Sequence, residues 1–599
     1  MMLVKKNRRL LIFAVLAVAV LALLACGPSA RSPGEGKREG SERATGRTME
    51  VAGMKLVIPD TNVVYPTQLP KDPREPKYGG ILNSTQPGDP PAIDPTLTTS
   101  YLQSRATSSV YERLIQWPTE PGADPYKAQL VPGLAESWEA SSDGLMYTFK
   151  LRKGVKWASV EPVNGREFTS DDVIFSHQYR TRKESIISGG IWEKVDKVEA
   201  PDKYTVVFYL KSLSPDFLYE VSSPVVGQIY PKEVVERDGN LKKVAVGTGP
   251  FYNIEGYNPK VGISFKRNPN YWAKDEQGRQ LPYLDGHAIH VIADQAATQA
   301  AFRTGKLEFT QEFSTPSQIK ALERSNQNVY GQEYVSGYGG QGYPFRLDRD
   351  DLPFKDARVR QAMSLAVNYK EMGQTISEVP NPELPVHIRG FWTQEGPDTI
   401  DNLSKIAPWY SYDTERAKKL LAEAGYPNGF KTILEFFEYS KSDVARAEML
   451  KDYWKKIGID VELKSMDYTV YRANLDSGSW QELTYSFPFP NRMDIDSVLN
   501  FVHSKGLGVN MMGKIRNPQI DQWVETFWKS RNEVERMDLL KKIRYRAVEQ
   551  VLTIPSPFSP SYTSIQPWLR NFQPEVNSFF PGKDRLPWMH AWIDDSWRK

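Results

Sequence analysis

Residues 130–157 read LVPGLAESWEASSDGLMYTFKLRKGVKW, and the second half of this stretch decides the fold class. Tyr147, Phe149 and Leu151 alternate with Thr148, Lys150 and Arg152, the period of a strand with one face buried and one in water. The pattern returns at Val206, Phe208 and Leu210, after a turn at Pro201-Asp202. Further along, the spacing becomes helical. Val359, Ala362, Met363, Ala366 and Val367 fall on one face of a segment opened by Asp356. A second helix is predicted from the cap Asp413 through Ala417, Leu420, Leu421 and Ala424 to a stop at Gly425. A third turns Leu450, Tyr453, Trp454 and Ile457 inward, stops at Gly458 and hands over to a strand carrying Ile459, Val461 and Leu463. Strands followed by helices make a mixed α/β protein, and 599 residues are enough for more than one domain.

The N-terminus has a different character. Lys5, Lys6, Arg8 and Arg9 precede an unbroken apolar run, Leu10–Ala25, of 16 residues. This is the charged and apolar order of an export signal, shorter than the roughly 20 residues that span a bilayer. The run ends Leu23-Leu24-Ala25-Cys26, which resembles a bacterial lipobox, with Cys26 as the acylated residue after cleavage. Leu24 stands where a small or β-branched residue is more usual, and a retained membrane anchor or a freely secreted chain are the alternatives. From Gly27 to about Pro76 the composition turns to Gly, Pro, Ser and mixed charge, as in Gly34-Glu35-Gly36-Lys37-Arg38-Glu39-Gly40-Ser41. That reads as a solvated tether.

Composition narrows the function classes. With 40% apolar and 25% charged residues, disorder is excluded as the main state. Lys and Arg number 76 and Asp and Glu 73, so removal of the four leader cations leaves the body close to neutral. Such a balance supplies no long-range attraction for nucleic acid. Cys26 is the single cysteine, so neither an internal disulfide nor a zinc site with two thiolates can form. The 15 Trp, 30 Tyr and 25 Phe exceed what a core of this size requires, which leaves aromatics to line a ligand cleft.

Motifs for chemistry are weak. Gly337-Tyr338-Gly339-Gly340-Gln341-Gly342 satisfies G-x-G-x-x-G after a strand expected at Val329–Val335, but Tyr343-Pro344-Phe345 follows where a dinucleotide site needs a helix N-terminus. A loop that lets backbone approach a ligand or a second domain is the better reading. His287 and His290 form a bare H-x-x-H without a third ligand, so hydrogen-bonded or surface histidines are expected. Asp348-Arg349-Asp350-Asp351 lacks the glycine and distal Glu of a calcium loop and reads as a solvated turn. There is no G-x-S-x-G, H-E-x-x-H or P-loop. The chain reads as a non-enzyme, with no cofactor and no metal.

Ordered landmarks nevertheless run through nearly all of the body. Leu130–Trp157 is followed, after a short insert, by NGREFTSDDVIFS at 164–176. Around these stand GG at 79–80, AIDP at 92–95, VYERLI at 110–115, GTGPF at 247–251, FKRNPNYW at 265–272 and LPYLDG at 281–286. TGKLEF at 304–309, PFKDARVRQAMSLAVN at 353–368, YDTERAKKLLAEAGY at 412–426 and LKDYWKKIGIDVELKS at 450–465 complete the series. In order, spacing and number, these resemble the family 5 extracellular solute-binding proteins, the peptide, nickel and oligosaccharide receptors of ABC importers. The resemblance implies an α/β, two-lobed periplasmic-binding-protein-like fold (type II, cluster C-like) with a hinge and an extra subdomain in the first lobe. After the signal peptide at 1–25 and the tether at 26–76 read from the residues themselves, it implies a first lobe at 77–330, a second at 331–554 and a return to the first at 555–599. Trp138, Phe149, Trp157 and Phe168 then become packing residues, and Asp171-Asp172 a helix cap.

The resemblance implies a ligand held between the lobes and delivered to an ABC permease, by a monomer tethered outside the cell membrane through lipid on Cys26, in the periplasm or on the outer surface. Peptide is the first expectation and oligosaccharide the second, followed by a metal complex or opine-like ligand. A membrane-tethered hydrolase and an extracytoplasmic scaffold or chaperone are the readings from other classes. In peptide receptors of the family, an acid just after the strand that follows the aromatic near Trp480 pairs with the peptide amine. Here that stretch is Tyr485-Ser486-Phe487-Pro488-Phe489-Pro490-Asn491-Arg492-Met493-Asp494-Ile495-Asp496, with Pro and Phe at the expected place and Asp494 a few residues on. The candidate ligand contacts are therefore Arg492 and Asp494, with Tyr101 after AIDP, Trp392 in the Pro-rich span His387–Pro397, and Tyr338 in the glycine loop.

Overall fold

A computed structural model describes residues 47–51, 54–58 and 74–598, apart from 99, 119–129, 190, 215–216, 314, 327–328, 335–341, 379–381, 383, 385–399, 439–440, 487–494, 507–509, 511, 531, 558–560 and 573–587. All of them belong to one unit, Thr45–Lys599. The first two spans are strands, β1 (Arg47–Val51) and β2 (Met54–Ile58), paired antiparallel with Met49 opposite Leu56. A hairpin thus lies inside the segment read as tether, where strand-forming residues flank the two-residue connection Ala52-Gly53.

The body begins with β3 (Ile81–Gln86), α1 (Tyr101–Thr107), β4 (Ile115–Gln116) and β5 (Val131–Pro132). The opening motif then supplies β6 (Ala135–Ala140) and β7 (Met146–Leu151). On β7, Tyr147, Phe149 and Leu151 are buried as their alternation predicts. Helix α2 (Ser170–Thr181) leads to β8 (Val195–Asp202) and β9 (Thr205–Leu210), and the sheet runs β6-β7-β9-β8 with all neighbours antiparallel. Strand β9 buries Val207 as well as Val206, Phe208 and Leu210, so both of its faces are covered there. Helix α2 has Thr169 as its N-cap residue, and of the Asp171-Asp172 pair Asp172 supplies the capping carboxylate. Asp172 sits one turn in, accepts the Thr169 N–H at 2.9 Å, and is clamped by Arg166. Phe149, Trp157 and Phe168 are inaccessible, whereas Trp138 is only partly buried.

Helix α3 (Phe217–Val221) follows, then β10 (Phe251–Tyr252), β11 (Gly262–Arg267) and β12 (Gly286–Val291), in a sheet ordered β10-β11-β12-β3. In this region His287 is fully buried with Nε2 3.0 Å from Ser109 Oγ, and His290 Nε2 lies 3.0 Å from Asn83 Oδ1. Both histidines of the H-x-x-H are hydrogen-bonded. Strands β13 (Phe309–Thr310) and β14 (Tyr330–Tyr334) follow, separated by α4 (Pro316–Ser325).

Next comes β15 (Gly342–Pro344), so the glycine motif leads into a strand and not the helix a dinucleotide would need. Helix α5 (Ala357–Leu365) is capped by Asp356, which accepts from Arg358 N at 2.8 Å. Helix α6 (Thr414–Glu423) is capped by Asp413 and ends before Gly425, whose φ of +95° suits a residue without Cβ. Then β16 (Lys431–Phe437), α7 (Lys441–Lys455), β17 (Asp460–Met466), α8 (Tyr468–Ser477) and β18 (Leu483–Thr484) form consecutive βαβ units, with parallel strands ordered β17-β16-β18. Helices α9 (Ile495–Val502), α10 (Pro518–Lys529) and α11 (Glu533–Gln550) precede β19 (Thr553–Pro555) and β20 (Ser561–Ile565).

Two large cores result. One combines buried residues from 82 to 309 with others from 565 to 593, and the second lies between 343 and 554. Strand β20 pairs with β13 and β14 beside the first core, while β15 pairs with β19 beside the second. The chain therefore passes between them twice, from Tyr334 to Gly342 and back from Pro555 to Ser561.

Candidate functional site

Open parallel sheets bind ligands beyond the carboxyl ends of their strands, because the connecting loops and helix N-termini gather there. In the second core those ends are Phe437 on β16, Met466 on β17 and Thr484 on β18. Directly beyond them a floor of rings is packed. Phe437 lies 5.2 Å from Tyr468, 4.8 Å from Tyr471 and 5.9 Å from Tyr485 between ring centroids, and Tyr343 lies 5.6 Å from Tyr485. The Tyr471 hydroxyl donates to the Tyr485 carbonyl at 2.6 Å and fixes the strand end. Burial pushes the Tyr343, Tyr471 and Tyr485 hydroxyls well above the usual phenol range, so all three stay neutral.

The charged groups at this floor are matched. Arg446, in α7, donates to Asp443 at 2.8 Å; burial disfavours its charge, and the carboxylate more than restores it. Arg472 pairs with Asp476 along α8 at 2.7 Å, and Lys464 with Glu435 at 3.1 Å. Among the described residues, two buried atoms here have no hydrogen-bond partner, Arg446 Nε and Ser486 Oγ. Ser486 is inaccessible, its backbone pairs with Gly342, and its Oγ has no hydrogen-bond partner among the described residues. A buried hydroxyl without a partner costs about 1–3 kcal/mol and is most economically explained by a polar group it receives.

The first core reaches this site through residues 86–100. Gln86, at the carboxyl end of β3, donates to the Gly88 carbonyl at 3.0 Å and the Tyr257 hydroxyl at 3.2 Å. Asp94, from the AIDP motif, is wholly buried and accepts from Thr96 N (3.0 Å), Thr96 Oγ1 (2.6 Å), Tyr179 OH (2.6 Å) and Leu241 N (3.2 Å). Those bonds hold the segment that ends at Ser100, whose Oγ is 3.2 Å from the Tyr468 hydroxyl at the N-terminus of α8. The carboxyl end of a second-core strand and a first-core loop thus meet over the aromatic floor.

Of the sequence-stated contacts, Tyr338, Trp392, Arg492 and Asp494 lie outside the described residues, as does Cys26. Tyr101 opens α1 one residue after Ser100, and its side chain too lies outside them. Residues 487–494 follow Ser486 directly in the chain. The sequence reading missed Ser100, Tyr468 and Ser486. Asp467, which caps α8 by accepting from Thr469 N at 2.8 Å, was the legible signal that a strand ends and a helix begins at Tyr468. Among the described residues, no group of three or more His, Cys, Asp or Glu is arranged to hold a metal ion, and no helix is long and apolar enough to cross a membrane.

Residues 129–505 match the family described as bacterial extracellular solute-binding proteins, family 5 Middle. The chain is 27% identical over 511 residues to Heme-binding protein A of Haemophilus influenzae, covering 79% of this chain and 86% of that one. It is 26% identical over 529 residues to Di/tripeptide-binding protein 1 of Pseudomonas aeruginosa, covering 82% and 92%. Among solved structures it is similar to the ABC transporter-associated periplasmic binding protein DppA from Helicobacter pylori in complex with the peptide STSA. The TM-score is 0.70 at 22% identity, over 86% of this chain and 98% of that one. The binding protein AgaA in complex with agropinic acid, from A. tumefaciens R10, gives a TM-score of 0.72 at 21% identity over 86% and 99%. The two-lobed architecture is common to these structures and this chain.

Proposed function

The chain belongs to the bacterial extracellular solute-binding proteins of family 5, and from that premise we propose that it captures peptides between its lobes for an ABC importer. The observation that carries this reading is the junction at the carboxyl ends of β16–β18. There the Ser100–Tyr468 contact joins the lobes over a neutral aromatic floor, beside a buried Ser486 hydroxyl with no partner among the described residues. Extended backbone supplies donors and acceptors for such a hydroxyl, and the rings cover side chains. The name of the Pseudomonas relative agrees with it.

The proposal includes the division at 77–330, 331–554 and 555–599, supported by the two cores and two crossings. It includes Arg492 and Asp494 as charged ligand contacts, with Tyr101, Tyr338 and Trp392 as further walls. It also includes a monomer held outside the cell membrane by lipid on Cys26, which passes its ligand to a permease. The chain acts by binding alone.

The test is thermal unfolding of the full chain in detergent with separate pools of peptides, oligosaccharides and haem. A ligand at 100 times its dissociation constant adds about 2.7 kcal/mol of stability. A shift with peptides alone supports the reading. A shift only with haem, as the name of the Haemophilus relative suggests, or only with sugars moves the same cleft to another cargo. Ligand breakdown during incubation would establish the hydrolase instead.

A further inference from the structure

Helices α9, α10 and α11 bury an apolar cluster of their own in the second lobe, with Ile520, Val524, Phe527 and Leu540 almost inaccessible. Two of its buried members come from the first lobe. Trp117 and Tyr219 are 1% and 9% exposed, with ring centroids 5.8 Å apart in a stacked arrangement, and both join this cluster. Their backbones are fastened to the first lobe. Trp117 follows β4, which pairs with β5, and Tyr219 sits in α3 between Phe217 and Val221, both in the first core. In addition, Lys194 Nζ stands 5.2 Å from the ring centroid of Trp528 on α10.

These contacts use surfaces other than the aromatic floor, and their chemistry is different. The Ser100–Tyr468 hydrogen bond is directional and is lost with a small shift. Two large rings in an apolar socket are held by a non-directional effect proportional to the area kept from water. Separation of the lobes would withdraw both rings and wet the socket. We propose that the Trp117–Tyr219 plug is a ligand-independent closing contact, which sets how much of the free protein is closed and thereby its ligand affinity. This rests on the reading of a ligand bound between lobes. Affinity scales with the populated fraction of the competent state, so the plug tunes binding without touching the cargo.

The experiment compares the full-length wild type, Trp117→Ala, Tyr219→Ala and Trp117→Phe by small-angle scattering without ligand and by titration with the peptide pool. The expected result is a larger radius of gyration for both alanine variants and a dissociation constant raised about tenfold, with Trp117→Phe close to wild type. Tyr219→Ala, which removes the smaller ring, decides the matter if Trp117→Ala does not fold. Unchanged free-state dimensions in a folded alanine variant overturn the plug, whatever its affinity. If no peptide binds even the wild type, the peptide reading fails, and the scattering result still judges the plug.

Discussion

The Tyr468 hydroxyl lies 3.2 Å from Ser100 Oγ, joining residues 368 apart in sequence. Its consequence is that the strand ends of the second lobe are tied to the segment held by Asp94 in the first. Its two partners lie beside different cores, so on the proposed reading the bond reports how close the lobes stand.

Tyr468→Phe keeps the ring in contact with Phe437 and removes the bond. A net hydrogen bond is worth about 0.5–1.5 kcal/mol, so peptide affinity should fall about two- to tenfold while the melting temperature of the free protein hardly moves. Calorimetric titration checks the first and scanning calorimetry the second; equal affinity would show that the bond does not report closure.

Asp94→Ala leaves two backbone N–H groups and the Thr96 and Tyr179 hydroxyls without their buried acceptor. Loss of about 3–5 kcal/mol is expected, together with weaker ligand binding, because the same bonds place Ser100. Urea unfolding measures the loss, and a change below 1 kcal/mol would mean the network is not under tension from burial.

Glu112 supplies a pH signature. Burial pushes its carboxyl up to about 7, against the hydrogen bonds it accepts from Thr248, Trp272 and Tyr271. Its folded value is above the unfolded one, near 4.5, so the folded chain keeps a proton that the unfolded chain has released. Stability contributed by this group is therefore present below pH 4.5 and lost as the pH rises to about 7. Glu112→Gln should gain on the wild type across that window, by about 3 kcal/mol at pH 8. Denaturation curves at three pH values give the answer, and parallel curves for the two proteins contradict it.

Arg492→Ala and Asp494→Ala test the loop that follows Ser486. Removing one partner of a buried charge pair costs about 3–5 kcal/mol, so the variant that meets the ligand should bind more than a hundredfold more weakly. If both bind the peptide pool as the wild type does, the ligand charge is met elsewhere.

Much of the framework was legible before any coordinates. Asp356 and Asp413 as helix caps, the stops at Gly425 and Gly458, and the alternation at 147–151 all rest on interactions within a few residues, and the structure reproduces them. Local readings failed where a partner distant in sequence decides the outcome. Trp138 is half-covered and Val207 is buried where the alternation predicted an exposed face, whereas the cap read at Asp171-Asp172 is carried by Asp172, which accepts the Thr169 N–H. The aromatic excess was countable in the sequence, yet nothing in it distinguishes Tyr468 from the other tyrosines. That distinction arises when two strand ends and a loop are brought together by long-range pairing.

By itself, then, the sequence determined the α/β class and the helix caps and stops named above, because these follow from periodicity, caps and turns acting over short spans, while the family was legible in the resemblance carried by its ordered landmarks. Tertiary structure alone decided that Ser100 meets Tyr468, that Ser486 is buried with no partner for its hydroxyl among the described residues, and that Trp117 and Tyr219 leave their own core for the neighbouring lobe. Contacts of that kind depend on how whole elements pack, and packing distance is not written in sequence distance.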